Sequence, residues 1–331
     1  MAAVSPSGED SLIARYFKPL ATDPGAFGLL DDAAIIKAEG CDIVVNTDAI
    51  VEGVHYLPDD PADSVARKAL RVNLSDLAAK GATPAGFVLT LALRRADDSW
   101  LSAFARGLAE DATAFGCPLL GGDTVSTPGP IMISITAWGR VPVGRMVHRF
   151  GARPGDRVMV SGTIGDASLG LAILQGRPAA AAFVDDPAAR DMLIGRYRVP
   201  QPRNALAAVV REFATASMDL SDGLAGDLTK LCAASKLSAD IDLSKVPISP
   251  AAAILLAGGA ADLAAMISGG DDYEILCTVP EARCGAFAAE ARRAGCAVAE
   301  IGTIVAGAAR PRFLDRQGAE IPLNHLSFSH F

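Results

Sequence analysis

The side chains with chemical promise in this chain are acidic, and most stand in short clusters: Asp31–Asp32, Asn46–Thr47–Asp48, Gly121–Gly122–Asp123 and Asp219–Leu220–Ser221–Asp222–Gly223, with Asp76 apart from them. Carboxylates mixed with hydroxyls, in a chain short of His and Cys clusters, are the donor set of a hard, oxygen-seeking cation, and magnesium is the expected ion. Such ions neutralise the charges of a nucleoside triphosphate and bridge its oxygens, so an acidic site of this kind suits phosphoryl transfer. Taken singly, each cluster is ordinary turn or helix-cap chemistry, and Ser221 or Asp222 could serve only to cap the helix that follows. Their number carries the argument.

Asp76 is read from its helix. Over Asp63–Lys80, at about 100° per residue, Val65, Ala69, Val72 and Ala79 fall on one stripe, and Asp76 projects within about 20° of its centre. Arg67, Lys68 and Arg71 fall on the opposite side. A carboxylate on an apolar stripe must be paired, protonated or metal-bound, because an isolated buried charge is costly. A partial salt bridge to Lys80, or a helix end already in water, would also account for it.

The elements that must position these groups read as a mixed α/β chain. Cys41–Asn46 is a short β-branched run, Gly86–Leu93 an apolar strand, Asp98–Phe115 a helix, and Ile131–Trp138 alternates with Ile131, Ile133, Ile135 and Ala137 on one face. The remaining clusters are expected at strand ends or turns, where a scaffold presents side chains to a ligand. Arg140–Asp156 is rich in Gly, Pro and Arg and precedes a new strand–turn–helix unit, which places a domain boundary near Val143, with domains at 1–142 and 143–331. In that unit Gly162-Thr163-Ile164-Gly165 is a candidate phosphate cradle at a helix N-terminus, though a lone motif of this kind is usually a tight turn. The second half continues with a loop-like Gly176–Pro202, a strand near Ser217–Leu220, a helix from about Gly223 to Ser235 and a late strand at Tyr273–Val279.

Composition sets the outer limits. Half of the 331 residues are hydrophobic but only 5% aromatic, as in an aliphatic α/β core, and this length suits two domains. The net charge of −8 supplies no basic field for nucleic acid or an anionic membrane. No stretch is apolar for long enough to suggest a membrane span, and Met1–Phe17 lacks the pattern of a signal peptide, so a soluble cytoplasmic protein is expected. The six cysteines have no metal-ligand spacing and read as small core residues.

Several runs, taken in order along nearly the whole chain, resemble the thiamine-monophosphate kinases. They are Asn73-Leu74-Ser75-Asp76-Leu77-Ala78-Ala79 with Gly81-Ala82, Leu120-Gly121-Gly122-Asp123-Thr124, Asp219-Leu220-Ser221-Asp222-Gly223-Leu224 and Gly269-Gly270-Asp271-Asp272-Tyr273-Glu274. The opening Ser11-Leu12-Ile13-Ala14-Arg15-Tyr16-Phe17 and Asp156 within Arg153-Pro154-Gly155-Asp156 fit as well. The resemblance implies the two-domain fold of the aminoimidazole-ribonucleotide-synthetase-like superfamily, with the N-terminal sheet at the interface of a homodimer. It implies ATP as co-substrate and thiamine monophosphate as acceptor. By position, Asp32, Asn46, Thr47, Asp48, Asp76, Asp123, Asp219 and Asp222 would hold several Mg²⁺ ions. Gly122, Asp123, Arg149 and Ser221 would meet ATP, while His55, Asp271 and an aromatic chain end containing Phe328 would meet the acceptor. Three positions depart from the family pattern: Gly28-Leu29-Leu30-Asp31-Asp32 lacks the second glycine, Asn46 replaces a hydroxyl residue, and Asp271 replaces Glu.

A phosphate acceptor is mostly dianionic near pH 7 and needs no general base, so no catalytic acid or base is expected. The chain carries neither a G-x-x-x-x-G-K-[ST] loop nor the H-R-D and D-F-G set of protein kinases. The rival readings are another ATP-using enzyme of the same superfamily, and a non-catalytic nucleotide- or Mg²⁺-binding protein.

Overall fold

The computed structural model describes residues 27–28, 30–31, 34–38, 40–177 and 186–323; Asp32, Phe328 and the run at residues 11–17 lie outside them. The first half runs β1 (Ala34–Ala38), β2 (Cys41–Val51), α1 (Ala62–Ala79), β3 (Thr83–Leu93), α2 (Asp98–Ala114), β4 (Leu119–Ser126) and β5 (Met132–Val141). Its five strands make one sheet in the order β1-β2-β5-β3-β4, antiparallel except for the β3–β4 pair. The second half contributes β6 (Arg157–Ser161), α3 (Asp166–Leu174), α4 (Pro187–Arg198), α5 (Ala207–Phe213), β7 (Ala216–Asp219), α6 (Leu224–Ser235) and β8 (Ser238–Asp242). It continues with α7 (Pro250–Ala257), α8 (Leu263–Ile267), β9 (Ile275–Val279), α9 (Cys284–Arg293), β10 (Val298–Val305) and β11 (Arg312–Leu314). These strands form a six-stranded sheet in the order β11-β8-β10-β6-β9-β7. The α/β class read from the sequence is the class observed.

Helix α1 fastens the two halves together. Val65, Ala69, Leu70, Val72 and Leu74 enter one core with Val44 and Ile50 of β2 and Ile133, Ile135 and Ala137 of β5. Ala78 and Ala79 belong instead to a core with Met159, Leu206, Val210 and Ile275 of the second half. The side of α1 carrying the basic residues is covered too: Lys68 is 1% and Arg71 9% exposed. Arg71 grips Asp111 of α2 with two bonds, Nε to Oδ2 at 2.5 Å and Nη2 to Oδ1 at 2.8 Å, and Arg67 Nη1 adds a third at 3.0 Å. Charges at this depth are tolerated because each has a partner.

The structure corrects several expected boundaries. β2 does not stop at Asn46 but runs to Val51, since it pairs with β5 from Asp42↔Val141 to Val51↔Met132. Asn46–Thr47–Asp48 is therefore mid-strand, not at a strand end. Gly121–Gly122–Asp123 is likewise inside β4, held by the register Val88↔Gly121 to Thr90↔Asp123. Gly176–Pro202 is not all loop, because Asp186 caps α4 by accepting the Ala189 N–H at 3.0 Å, with Pro187 at the first helical position. The late strand begins at Ile275 because Asp271 and Tyr273 adopt positive φ, +71° and +50°, which takes them out of the ladder. Among the described residues no helix is long and apolar enough to cross a membrane.

Candidate functional site

Alternation along β2 sends Asn46 and Asp48 toward α1 and Thr47 the other way. One turn of α1 meets them: Asn46 Nδ2 donates to Asp76 Oδ2 at 2.8 Å and to Asn73 Oδ1 at 3.2 Å, while the Asp48 N–H donates to Asn73 Oδ1 at 3.1 Å. Asp76 thus lies where helical periodicity puts it, buried and facing a polar row of the sheet rather than its apolar part. Lys80 forms a buried ion pair with Asp31 at 2.7 Å and also donates to the Ser217 carbonyl at 2.9 Å. Burial would raise the Asp31 pKa, but Lys80, His148 and the Arg149 N–H outweigh it and hold the carboxyl well below its ordinary range.

Asp48, His55, Ser221, Asp222 and Asp271 line a single cavity of about 690 Å³ between the two halves, together with Gly269, Gly270 and Tyr273. Asp219 closes β7 beside it and is buried. Tyr273 registers how these groups converge. Burial first, and then the charges of Asp271, Asp48, Asp219 and Asp222, push its hydroxyl pKa well above the ordinary value. His55 Nδ1 accepts the Val51 N–H at 3.0 Å, so the neutral ring carries its hydrogen on Nε2. Asp222 pairs with Lys230, and its N–H donates to Asp227 Oδ2 at 2.9 Å; neither Asp222 nor Ser221 caps α6. Burial pushes Asp227 up to about 7 despite Lys230.

The donors fit a hard cation in kind. All are oxygens, and the buried Asn46 Oδ1 has no hydrogen-bond partner among the described residues, an unmet acceptor beside Asp76. Among the described residues, no three Asp, Glu, His or Cys groups stand close enough to enclose an ion by themselves.

Other expected site residues lie apart within this chain. Thr47 is exposed on the outer face, its Oγ1 bonded to the Ile135 carbonyl at 3.1 Å and to Thr136 Oγ1 at 3.0 Å. Asp123 sits on the edge strand β4, whose residues are all exposed, and its Oδ1 accepts the adjacent Thr124 N–H at 2.8 Å. The register Asp123–Thr90–Ser134–Ala49 spans three strand spacings, about 14 Å, between Asp123 and the neighbour of Asp48. Arg149 holds the Leu30 carbonyl with Nε and Nη2 at 3.1 and 2.9 Å. Gly122 has a local reason to be glycine, since a Cβ there would collide with the Leu89 carbonyl of β3. Gly122→Ala is expected to loosen β4 at a cost of about 1–3 kcal/mol, seen as faster amide exchange over residues 119–126.

The Gly162–Gly165 cradle is overturned. The N–H groups of Gly165 and Ala167 donate to the carboxyl oxygens of buried Asp272 at 2.8 and 3.4 Å, so a side chain of the protein itself occupies the N-terminus of α3. Gly162 is glycine because a Cβ would strike Glu274. Glu274 is itself a residue without any assigned role in the sequence reading: fully buried just before β9, it binds Arg196, Arg203 and Ser161. Lys68, which reaches Asp271 at 3.0 Å, was legible only as a basic residue off the apolar stripe.

Known proteins share this architecture and much of this sequence. Residues 30–141 match the family model of the AIR synthase related protein, N-terminal domain, and residues 153–311 match that of its C-terminal domain. A thiamine-monophosphate kinase of Caulobacter vibrioides is 45% identical over 311 residues, covering 92% of this chain and 86% of its own. A crystal structure of thiamine-monophosphate kinase from Stenotrophomonas maltophilia superposes with a TM-score of 0.77 at 34% identity, covering 97% of this chain and 99% of that one. A structure described as AaThiL complexed with AMPPCP and TMP gives a TM-score of 0.79 at 28% identity, covering 93% and 97%. With both domain models matched in order and identity of this level over almost the full length, the chain belongs to the thiamine-monophosphate kinase family of AIR synthase related enzymes.

Proposed function

We propose that the chain transfers the γ-phosphoryl group of ATP to the phosphate of thiamine monophosphate, giving thiamine diphosphate, by direct in-line displacement in a Mg²⁺-dependent reaction. The observation that carries this reading is the cavity between the halves, where Asp48, Asp222 and Asp271 meet His55 and Ser221, with the unmet oxygen of Asn46 on the same strand as Asp48. Asp32, Asn46, Thr47, Asp48, Asp76, Asp123, Asp219 and Asp222 would hold the ions. Bound there, Mg²⁺ would neutralise the phosphates and the charge developing in transfer. Gly122, Asp123, Arg149 and Ser221 are assigned to the nucleotide, and His55, Asp271 and Phe328 to the acceptor. His55 offers its Nε2–H as a donor to an acceptor oxygen, its orientation set by the Val51 N–H. The acceptor phosphate is mostly dianionic at pH 7, so the chain's task is positioning rather than proton removal.

A second copy of the chain completes the reading. Thr47 and Asp123 lie on exposed sheet surface, and the strand bearing Asp123 also exposes Leu119, Leu120 and Val125. An exposed apolar edge of this kind calls for cover, and a homodimer joined through the first sheet supplies it. The enzyme would work in the cytoplasm.

The test is ADP release from ATP and Mg²⁺ with thiamine monophosphate, thiamine or other phosphorylated acceptors, with the product identified directly. Thiamine diphosphate formed only from the monophosphate is the expected result. Turnover with a different acceptor would overturn the substrate assignment, and tight nucleotide binding without turnover would overturn the enzymatic one.

A further inference from the structure

Lys68 lies two turns before Asp76 on α1, and its side chain is 1% exposed. An ammonium group at that depth must spend all its hydrogen-bonding capacity on the protein. Its Nζ donates to the His55 carbonyl at 2.8 Å and to Asp271 Oδ2 at 3.0 Å, and it stands 3.9 Å from the centre of the Tyr197 ring. The Tyr197 hydroxyl donates to the same His55 carbonyl at 3.4 Å. One cation therefore joins three elements distant in sequence: the loop after β2, the loop before β9 and helix α4.

The loop that carries Asp271 is tightly specified. The Asp271 N–H donates to the Ser221 carbonyl at 2.8 Å, and a Cβ on Gly270 would collide with that same carbonyl. Asp271 itself has φ +71°, a left-handed conformation that disfavours a residue with a side chain. Bonding to Lys68 helps to offset that cost and fixes which carboxylate oxygen points inward. Asp48 and Asp222 line the same cavity, so an unpaired Asp271 would also add repulsion against an anionic acceptor.

We propose that Lys68 is a positioning residue for the acceptor side of the site. It does not touch the reacting atoms; it locks the backbone of His55 to the carboxylate of Asp271, so that the groups from the two halves face the acceptor at one spacing. This inference rests on the assignment of His55 and Asp271 to the acceptor.

Lys68→Met removes the charge while keeping most of the side-chain volume. It is expected to raise the KM for thiamine monophosphate by about 10–100-fold, the loss of a charge-assisted hydrogen bond, with the KM for ATP changed less than about twofold. Asp271→Asn is the second variant, and in its background Lys68→Met should change the acceptor KM by less than about threefold, because the charge that Lys68 restrains is already gone. Hydrogen exchange of the substrate-free protein tests the clamp without turnover. Residues 52–57 and 269–273 should both exchange about tenfold faster in Lys68→Met, with α2 unchanged, and residues 52–57 should also exchange faster in Asp271→Asn. Equal rises in both KM values, additive effects in the double variant, or unaltered exchange in the two loops would overturn the proposal. A wild-type protein inactive with thiamine monophosphate would overturn the functional reading instead, while the exchange measurement would still decide whether Lys68 clamps the loops.

Discussion

Asp123→Asn is expected to reduce turnover by about 10³-fold, the scale seen when one preorganised electrostatic partner is removed, while leaving the fold intact. The fold should be indifferent because Asp123 is exposed and, among the described residues, its carboxylate accepts only the Thr124 N–H, a bond that the amide oxygen of Asn can also accept. The two side chains have nearly the same size, so any change in stability should stay within about 0.5 kcal/mol. Under the proposed assignment of Asp123 to the metal site, activity should depend instead on the negative charge, which a cation bound at the nucleotide phosphates would require. Steady-state turnover set beside a thermal melt separates the two effects. Unchanged activity would remove Asp123 from the metal site, whereas a large fall in the melting temperature would show that the strand needs the carboxylate for structure.

Glu274→Gln should produce the largest loss of stability of the substitutions considered. The carboxylate is fully buried; Arg203 Nε reaches Oε2 at 2.6 Å, Arg196 Nη2 reaches Oε1 at 2.7 Å, and Ser161 Oγ donates to Oε2 at 2.5 Å. Gln preserves the shape but leaves two guanidinium groups without a counter-charge. Breaking a buried pair in this way typically costs about 3–5 kcal/mol. Arg203 remains a quarter exposed, so solvent screening favours the lower end of that range. The expected result is a urea midpoint lowered at unchanged slope, and a loss below about 1 kcal/mol would show that water replaces the missing charge. Because Glu274 joins the Gly269–Tyr273 loop to β9, which starts at the next residue, the same substitution is expected to loosen the cavity wall.

The residues of the candidate site were legible to different degrees. Asp76 could be placed on a buried stripe from helical periodicity alone, because a 3.6-residue repeat is a local property of the chain. That it would meet Asn46 and Asn73 could not, since those bonds depend on how α1 packs against β2. Asn46–Thr47–Asp48 looked like a strand end because polar residues commonly mark one, yet ten consecutive pairings with β5 carry the strand through them. The Gly162–Gly165 turn looked open to a phosphate, but Asp272, more than one hundred residues later, fills it.

The sequence by itself determined the α/β class and the family, because these rest on composition, local periodicity and the order of short motifs. Tertiary structure alone decided which acids share a cavity, that Thr47 and Asp123 lie on exposed sheet surface, and that Lys68 and Glu274 are buried charges tying distant loops together. The reason is physical. A side chain's partners across 203 residues, as for Lys68 and Asp271, are fixed by packing and by the need to pair every buried charge, and neither condition is written in the residues next to it.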